Sequence, residues 1–421
     1  MPPSTPGHRD TFLDVIRAGA ILAVISQHWL MPVLSYADGH IATGNALATP
    51  GWAPLTWLSQ VMPLVFFAGG AANLISLRRA PSTRDWLATR MTRLLLPVLP
   101  LAAVWLGVPS LLRDFGVAEQ PLEVAGAIAG QLLWFLGVYL LTVLATPPLA
   151  AAHRRWGFAV PAVLAAAAVL VDVARFDGFG FAGYANAVLV WPAVHQLGFH
   201  YVDGKFHRRA ALPMLLGGFG VTALLVAFGP YPMSMIGMPG APVSNMSPPT
   251  AVLVSLAIGQ IGLMLLLRDR ITALAARPVA GKVLGWLGSR FMSVYLWHMP
   301  ALVVVTGVTV LGLGYATPAP GTPGWFAAAP FWLGFAGLVL FGLLRVFGRF
   351  ETGRVPVHTA PAMTQLIPAA LLAATGLLGL AARGFAPPPG SSLLAGPLVW
   401  SALVLGGLVL AVKPVAAPVR R

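Results

Sequence analysis

Long apolar segments recur along the whole chain of 421 residues and leave little sequence between them. Each is close to the roughly 20 residues that an α-helix needs to cross the hydrocarbon core of a bilayer. Hydrophobic residues make up 57% of the sequence and charged residues 9%, against about 25% charged residues in soluble globular proteins. The predicted spans are 12–31, 54–77, 94–112, 122–146, 157–174, 183–201, 210–229, 249–267, 284–311, 329–348, 361–382 and 392–412. The sequence therefore predicts an all-α, polytopic transmembrane helix bundle with about twelve spans, in contact with a lipid bilayer.

Lysine and arginine residues gather at alternate ends of the predicted spans. Such residues are enriched on the cytoplasmic side of membrane proteins. With the N-terminus inside, the cytoplasmic groups are Arg9, 78–93, 154–155, 205–209, 268–290, 345–354 and 413–421. Arg113, Arg175 and Arg383 would lie on the outer side. The pattern predicts a multi-pass protein of the plasma membrane with both termini in the cytoplasm, and the net charge of +14 requires no nucleic-acid partner.

The first apolar segment, TFLDVIRAGAILAVISQHWLMP, contains Asp14, Arg17 and His28. An ionisable residue at the centre of a bilayer costs roughly 3 kcal/mol, so such residues mark protein-lined or water-filled sites. Arg17 and His28 are eleven residues apart, which places them on nearly the same helical face and about 16 Å apart along the axis. A neutral His28 can act as a general base toward a hydroxyl. The alternative is a buried histidine that only hydrogen-bonds a neighbouring helix.

Two further short segments contain candidate residues. In ATRMTRLLLP, Arg90 and Arg93 are three residues apart, and two guanidinium groups can hold phosphate oxygens with paired N–H donors. The alternative is a pair of ordinary cytoplasmic arginines that contact lipid phosphates. In FMSVYLWHMP, Tyr295 and His298 lie on one side of a helix and precede Pro300, so that a structural histidine at a kink is the alternative to a functional one.

Polar residues elsewhere in the apolar sequence give weaker signals. Gln131 is of the type that forms hydrogen bonds between membrane helices. Asn245 lies in a neutral segment, 229–249, that either merely connects two spans or forms a packed cap over an outward-facing site. We take Tyr295, Asn245 and Gln131 as candidate substrate-binding residues. The chain contains no cysteine, which excludes a covalent acyl-cysteine mechanism and thiolate metal sites.

Together these segments resemble the acyltransferase-3 family of integral-membrane O-acyltransferases. The matching segments, in the order typical of the family, are FLDVIRAGAILAVISQHW, FFAGG, RMTRLLLP, LLWFLGVYLL and SVYLWHMP. FFAGG departs from the family pattern, in which a serine often precedes the glycine. The resemblance implies a ten-helix acyltransferase-3-like domain over residues 1–350, followed by two additional C-terminal helices over 351–421.

The resemblance also implies an activity, namely transfer of an acyl group, often acetyl, from acyl-coenzyme A to a hydroxyl of the acceptor. The acceptor would be a polysaccharide or other carbohydrate, a glycolipid or other lipid, or a small secondary metabolite, in or near the cell envelope. His28, Arg17 and His298 correspond to catalytic positions, and Arg90 and Arg93 to an element that binds the acyl-coenzyme A. The resemblance implies no metal.

A proton-coupled transporter or flippase of a lipid or glycan intermediate is the main alternative. Polytopic proteins with intramembrane arginine and histidine are often carriers, and about twelve spans are common among them. Against this alternative, the two halves of the sequence show no repeat, and Asp and Glu are nearly absent at the depth of the predicted spans, although proton relays favour such residues. A non-catalytic polytopic assembly factor that binds lipid-linked intermediates is a third alternative.

Overall fold

The structure is a computed structural model that describes residues 10–352, 360–387, 390–392 and 396–412. Regular structure in this part of the chain is mostly helical, as the sequence predicts. Five basic residues used in the topology prediction lie outside the described residues: Arg9, Arg354, Lys413, Arg420 and Arg421. The position of both termini in the cytoplasm therefore stays a prediction.

The α-helices are α1 (Thr11–Leu30), α2 (Thr56–Ser59), α3 (Met62–Arg79), α4 (Thr83–Leu95), α5 (Val98–Asp114), α6 (Glu119–Gln131), α7 (Leu133–Trp156), α8 (Ala159–Phe176), α9 (Val190–Val202), α10 (Ala211–Phe228), α11 (Val252–Leu266), α12 (Arg268–Ala275), α13 (Pro278–Ser289), α14 (Phe291–Thr306), α15 (Pro323–Phe347), α16 (Arg349–Thr352), α17 (Met363–Arg383) and α18 (Pro397–Val412). The 3₁₀ helices are Ala46–Ala48, Ala53–Leu55, Gly180–Val188 and Arg208–Ala210, and a π-helix, Gly307–Gly312, follows α14. The strands are β1 (Pro32–Ala37) and β2 (His40–Asn45).

Nine helical segments of the described residues are long and apolar enough to cross a membrane. The number is ten if α11 and α12, which are bent by 62° relative to each other, form one broken span. The nine coincide with nine of the twelve predicted spans, and α18 is a shorter apolar helix within the last one. The chain is therefore a multi-pass membrane protein, and the exact number of spans stays a prediction.

The span predicted at 183–201 has a different structure. It is a 3₁₀ helix, Gly180–Val188, followed by α9, which has only 13 residues and is shorter than the roughly 20 that a bilayer requires. Residues 190–201 of α9 are all buried. A mostly apolar helix can be covered by protein as well as by lipid, which explains why the sequence pattern suggests a span.

By their internal contacts, the residues form two compact units. The first comprises the described residues up to Gln27 together with Asn45–Arg78 and Ala145–Gly288. In this unit α10 and α11 approach closely, since a Cβ at Gly218 would overlap the backbone nitrogen of Gly259. Small residues at such crossings allow membrane helices to pack backbone against backbone.

The second unit comprises His28–Gly44, Arg79–Leu144 and the described residues from Ser289 onward. Within it α17 packs against α6 and α18, and α18 packs against α4. Both of the predicted domains, 1–350 and 351–421, contribute residues to this unit, and the division between them stays a prediction.

A two-residue turn in the second unit connects β1 and β2. Asp38 and Gly39 have φ angles of 50° and 79°, as a type I′ turn requires at both central positions. The hairpin packs on Val310 of the π-helix through Leu34 and Ile41. It therefore forms an ordered element directly after α1.

Candidate active site

His28 of α1 and His298 of α14, which the sequence suggests as separate candidates, contact each other in the second unit. Nδ1 of His28 lies 2.9 Å from Nε2 of His298. The two rings are nearly parallel, with an interplanar angle of 6° and centroids 5.2 Å apart. His298 is fully buried, whereas His28 is partly exposed. We call this pair the histidine dyad.

The partners of the histidine dyad determine which ring nitrogens carry protons. Nδ1 of His298 lies 2.6 Å from the carbonyl oxygen of Tyr295, and because a carbonyl only accepts, this Nδ1 donates. In a neutral imidazole the other nitrogen is then an acceptor, so Nδ1 of His28 donates to Nε2 of His298. Nε2 of His28 is therefore unprotonated, and within the described residues it has no hydrogen-bond donor. This nitrogen has the protonation state that a general base needs.

Two tryptophans hold the helices around the histidine dyad. Nε1 of Trp29 donates to the carbonyl oxygen of His298 at 2.8 Å. The carbonyl oxygen of Trp29 in turn accepts a bond from Nε1 of Trp332, also at 2.8 Å. Because hydrogen bonds are stronger in surroundings of low dielectric constant, these bonds hold the last residues of α1 to α14 and α15 within the second unit. Neither tryptophan is among the candidates predicted from the sequence, although a buried indole N–H usually has a partner.

Tyr295 supports His298 and is itself held where α6 ends and α7 begins. Its hydroxyl donates to the carbonyl oxygen of Leu132 at 2.6 Å, at the break between α6 and α7. Its ring contacts Phe135 edge-on, with centroids 5.3 Å apart. The structure thus places Tyr295 where it positions His298 through its own carbonyl oxygen. A direct contact between Tyr295 and a substrate stays a prediction.

The N-terminus of α14 is capped by a residue that is distant in sequence. The carboxylate of Glu351 in α16 accepts hydrogen bonds from the backbone nitrogens of Met292, at 2.9 Å, and Ser293, at 2.7 Å. The first N–H groups of a helix have no partner within the helix, and a negative charge there is favourable for the helix dipole. Glu351 therefore stabilises the start of the helix that carries His298. No local sequence pattern indicates this cap, because the partners are 58 and 59 residues apart.

Arg90 and Arg93 lie on α4, also in the second unit. Ser82 caps the start of this helix by accepting a bond from the backbone nitrogen of Asp85. The guanidinium of Arg90 is partly buried and lies 5.9 Å from the ring centroid of Trp86, whereas Arg93 is exposed. Two guanidinium groups one turn apart, one of them held against an aromatic ring, are suited to binding phosphate oxygens.

Two other candidates lie on α1 and α6. Arg17 is partly buried on α1, eleven residues before His28, and Asp14 lies one turn before it. Gln131 is the last residue of α6 and is exposed. The catalytic role of Arg17 and the substrate contact of Gln131 stay predictions.

Asn245 stabilises the segment 229–249 in the first unit. Its Nδ2 donates to the carbonyl oxygens of Pro232, at 2.7 Å, and Ser234, at 2.9 Å. Its Oδ1 accepts a bond from the hydroxyl of Thr250 at 2.9 Å. Asn245 is fully buried, so the segment is packed around this side chain, and its predicted role in substrate binding is untested.

Asp172 of α8 is a buried carboxylate that the sequence analysis missed. It accepts hydrogen bonds from Nδ2 of Asn186 at 2.7 Å, the hydroxyl of Tyr231 at 3.0 Å and the backbone nitrogen of Ala251 at 2.7 Å. A carboxylate within a membrane protein is costly unless it is paired and hydrogen-bonded, and three donors satisfy Asp172. These contacts join α8 to the start of α11 within the first unit.

The described residues contain no group of three or more His, Asp or Glu side chains that could hold a metal ion.

A family model described as an acyltransferase domain matches residues 10–348. The match covers more than half of the chain and includes both histidines of the dyad as well as Arg90 and Arg93. Helices α17 and α18 lie beyond the matched residues. No curated protein and no solved structure matches the chain.

Proposed function

Since this chain belongs to the acyltransferase-3 family, we propose that it moves an acyl group, acetyl in the simplest case, from acyl-coenzyme A to a hydroxyl. The acceptor is a carbohydrate, a glycolipid or a secondary metabolite of the cell envelope, and the enzyme works in the plasma membrane. The observation that carries the proposal is the histidine dyad, whose hydrogen bonds leave Nε2 of His28 unprotonated.

In the proposed reaction, His28 is the general base. Its Nε2 takes the proton of the acceptor hydroxyl while the acceptor oxygen forms a bond to the thioester carbonyl carbon. The carbon–sulfur bond then breaks, and the departing thiolate takes the proton from His28, so that the enzyme is restored. Nε2 of His298 accepts a hydrogen bond from Nδ1–H of His28 throughout, which orients the ring of His28 and stabilises its charged form. A positioned general base contributes about 10²- to 10⁴-fold to a rate.

The arginine pair on α4 supports binding of the donor. We assign Arg90 and Arg93 to the phosphates of the coenzyme, since paired guanidinium groups suit phosphate geometry. Arg17 is on the same helix as His28, about 16 Å away along the axis, a separation comparable with the length of a pantetheine arm. We therefore include Arg17 among the catalytic residues as a group that orients the donor along α1.

Radiolabelled acetyl-coenzyme A tests the proposal. The purified full-length protein in nanodiscs is incubated with the labelled thioester and with extracted envelope glycans and lipids. The expected result is label on an acceptor, its loss in His28→Ala, and its retention in the control variant His207→Ala, which alters an exposed histidine. An active and normally folded His28→Ala protein would contradict the role of His28. Movement of a lipid or glycan intermediate without any labelled product would favour the transporter.

A further inference from the structure

Three aromatic side chains form a partly exposed surface in the second unit, which we call the aromatic wall. Tyr36 lies on β1, Tyr315 in the connection before α15, and Trp332 on α15. All three pack against the core of Leu34, Ile41 and Val310. The rings of Tyr315 and Trp332 are stacked, with centroids 5.9 Å apart and an interplanar angle of 25°.

The aromatic wall is connected to the histidine dyad by two consecutive hydrogen bonds. Nε1 of Trp332 donates to the carbonyl oxygen of Trp29, and Nε1 of Trp29 donates to the carbonyl oxygen of His298. Trp29 directly follows His28 in the chain. The wall is therefore held to the same two residues, Trp29 and His298, that flank and contact the proposed base.

Backbone hydrogen bonds keep the aromatic wall in place. The backbone nitrogen of Thr317 donates to the carbonyl oxygen of Leu34 at 2.8 Å, and the hydroxyl of Thr317 accepts a bond from the nitrogen of Leu34 at 3.1 Å. The backbone nitrogen of Tyr315 donates to the carbonyl oxygen of Thr309, within the π-helix, at 2.9 Å. π-Helical turns often lie at functional sites. The wall is thus formed in advance of any ligand.

An aromatic belt at the membrane surface does not account for this arrangement. Tryptophans in such belts direct their polar atom to the headgroup level, whereas the indole N–H of Trp332 is bound to the carbonyl oxygen of Trp29. The segments that carry the wall, 32–45 and 313–322, contain no lysine or arginine, and Asp38 is their single acidic residue. Their charge favours an uncharged ligand over a polyanionic one.

We propose that the aromatic wall is an acceptor subsite that binds a neutral saturated ring with several hydroxyls, such as an uncharged pyranose. The C–H face of such a ring packs on an aromatic face, which has a negative quadrupole, while the hydroxyls at its edge remain available. One of these hydroxyls then reaches Nε2 of His28. The position of the subsite in a reaction rests on the proposed function, but the binding does not.

Saturation-transfer difference NMR on the full-length protein in nanodiscs tests the subsite without acyl-coenzyme A. The probes are methyl β-glucopyranoside, the corresponding glucuronide and the acyclic polyol sorbitol. We expect saturation of the ring protons of the glucoside, and weaker signals for the other two probes. Tyr315→Ala should weaken binding of the glucoside by roughly three- to tenfold, the range expected for loss of one aromatic contact. Tyr315→Phe, which keeps the ring, and Phe331→Ala, which alters an exposed neighbour of Trp332, should bind normally.

Absence of a glucoside signal in the unaltered protein, preference for the glucuronide, or normal binding by Tyr315→Ala would each overturn the subsite. A parallel assay with labelled acetyl-coenzyme A separates this inference from the proposed function. Binding that depends on Tyr315, without acyl transfer to any acceptor, would retain the sugar site and overturn the enzyme. Acyl transfer combined with unaltered glucoside binding in Tyr315→Ala would retain the enzyme and overturn the sugar site.

Discussion

Replacing His298 by leucine tests whether the histidine dyad sets the protonation of His28. Leucine removes the acceptor that lies 2.9 Å from Nδ1 of His28, so the ring loses both its orientation and a partner that stabilises its charged form. A hydrogen bond to a charged group contributes about 1.5–3 kcal/mol, and about 1.4 kcal/mol of activation free energy changes a rate tenfold. We therefore expect kcat to fall about 10- to 160-fold, while the KM for the acyl donor is unchanged.

The assay measures initial rates of acyl transfer by purified protein in nanodiscs, and thermal unfolding verifies that each variant is folded. His298→Gln is the matched variant, because its side-chain carbonyl oxygen can accept a hydrogen bond from Nδ1–H of His28 and should restore part of kcat. The double variant His28→Ala/His298→Leu should be no slower than His28→Ala, since residues that act as a unit are not additive. A kcat for His298→Leu within threefold of the unaltered value would refute the reasoning, and so would a His298→Gln variant no faster than His298→Leu.

Three further predictions concern the donor, the helix cap and acid stability. Arg93→Ala should raise the KM for acetyl-coenzyme A about tenfold through loss of a charge-assisted bond that is partly screened by water; an unchanged KM in initial-rate measurements would exclude Arg93 from donor binding. Glu351→Ala should lower the free energy of unfolding by about 0.5–2 kcal/mol through loss of the α14 cap, which thermal unfolding measures, and a stability equal to that of the unaltered protein would contradict the cap. Burial raises the pKa of Asp203, but hydrogen bonds from Arg78 and His153 more than offset it, so that the pKa lies below its usual value. The stability that Asp203 contributes is therefore present above the unfolded-state pKa and is lost as the pH falls through the folded-state pKa, and thermal unfolding in acid should show a smaller loss for Asp203→Asn than for the unaltered protein.

The membrane spans could be predicted from the sequence because a bilayer imposes a local rule on the length of an apolar segment. The same rule fails for α9, whose apolar surface is covered by protein within its own unit. The hairpin of β1 and β2 was missed, although Asp38 and Gly39 are a common pair for a two-residue turn. Local patterns thus predict elements well where the surroundings are uniform, and poorly where a neighbouring element replaces the lipid.

The candidate site could be predicted as residues but not as an arrangement. His28 and His298 stand out because ionisable groups in apolar sequence are costly. Their contact joins residues 270 positions apart, which no periodicity indicates. The same holds for the bond from Trp332 to Trp29 across 303 positions. Only the packed helices show that the two histidines are hydrogen-bonded to each other. The same packing shows which nitrogen of His28 is unprotonated and can act as the base.

Helix α17, which lies beyond the matched residues, supports the histidine dyad through α6. A Cβ at Gly130 would lie 2.5 Å from the carbonyl oxygen of Leu380 in α17, and the backbone nitrogen of Phe385 donates to the carbonyl oxygen of Gly126 at 3.1 Å. These contacts fix the end of α6, directly before the carbonyl of Leu132 that accepts the hydroxyl of Tyr295. Because Tyr295 in turn holds Nδ1 of His298, and Nε2 of His298 holds Nδ1 of His28, a displacement of α17 would reach the proposed base through three hydrogen bonds. The family match ends at residue 348, but the packing that orients His28 continues into α17.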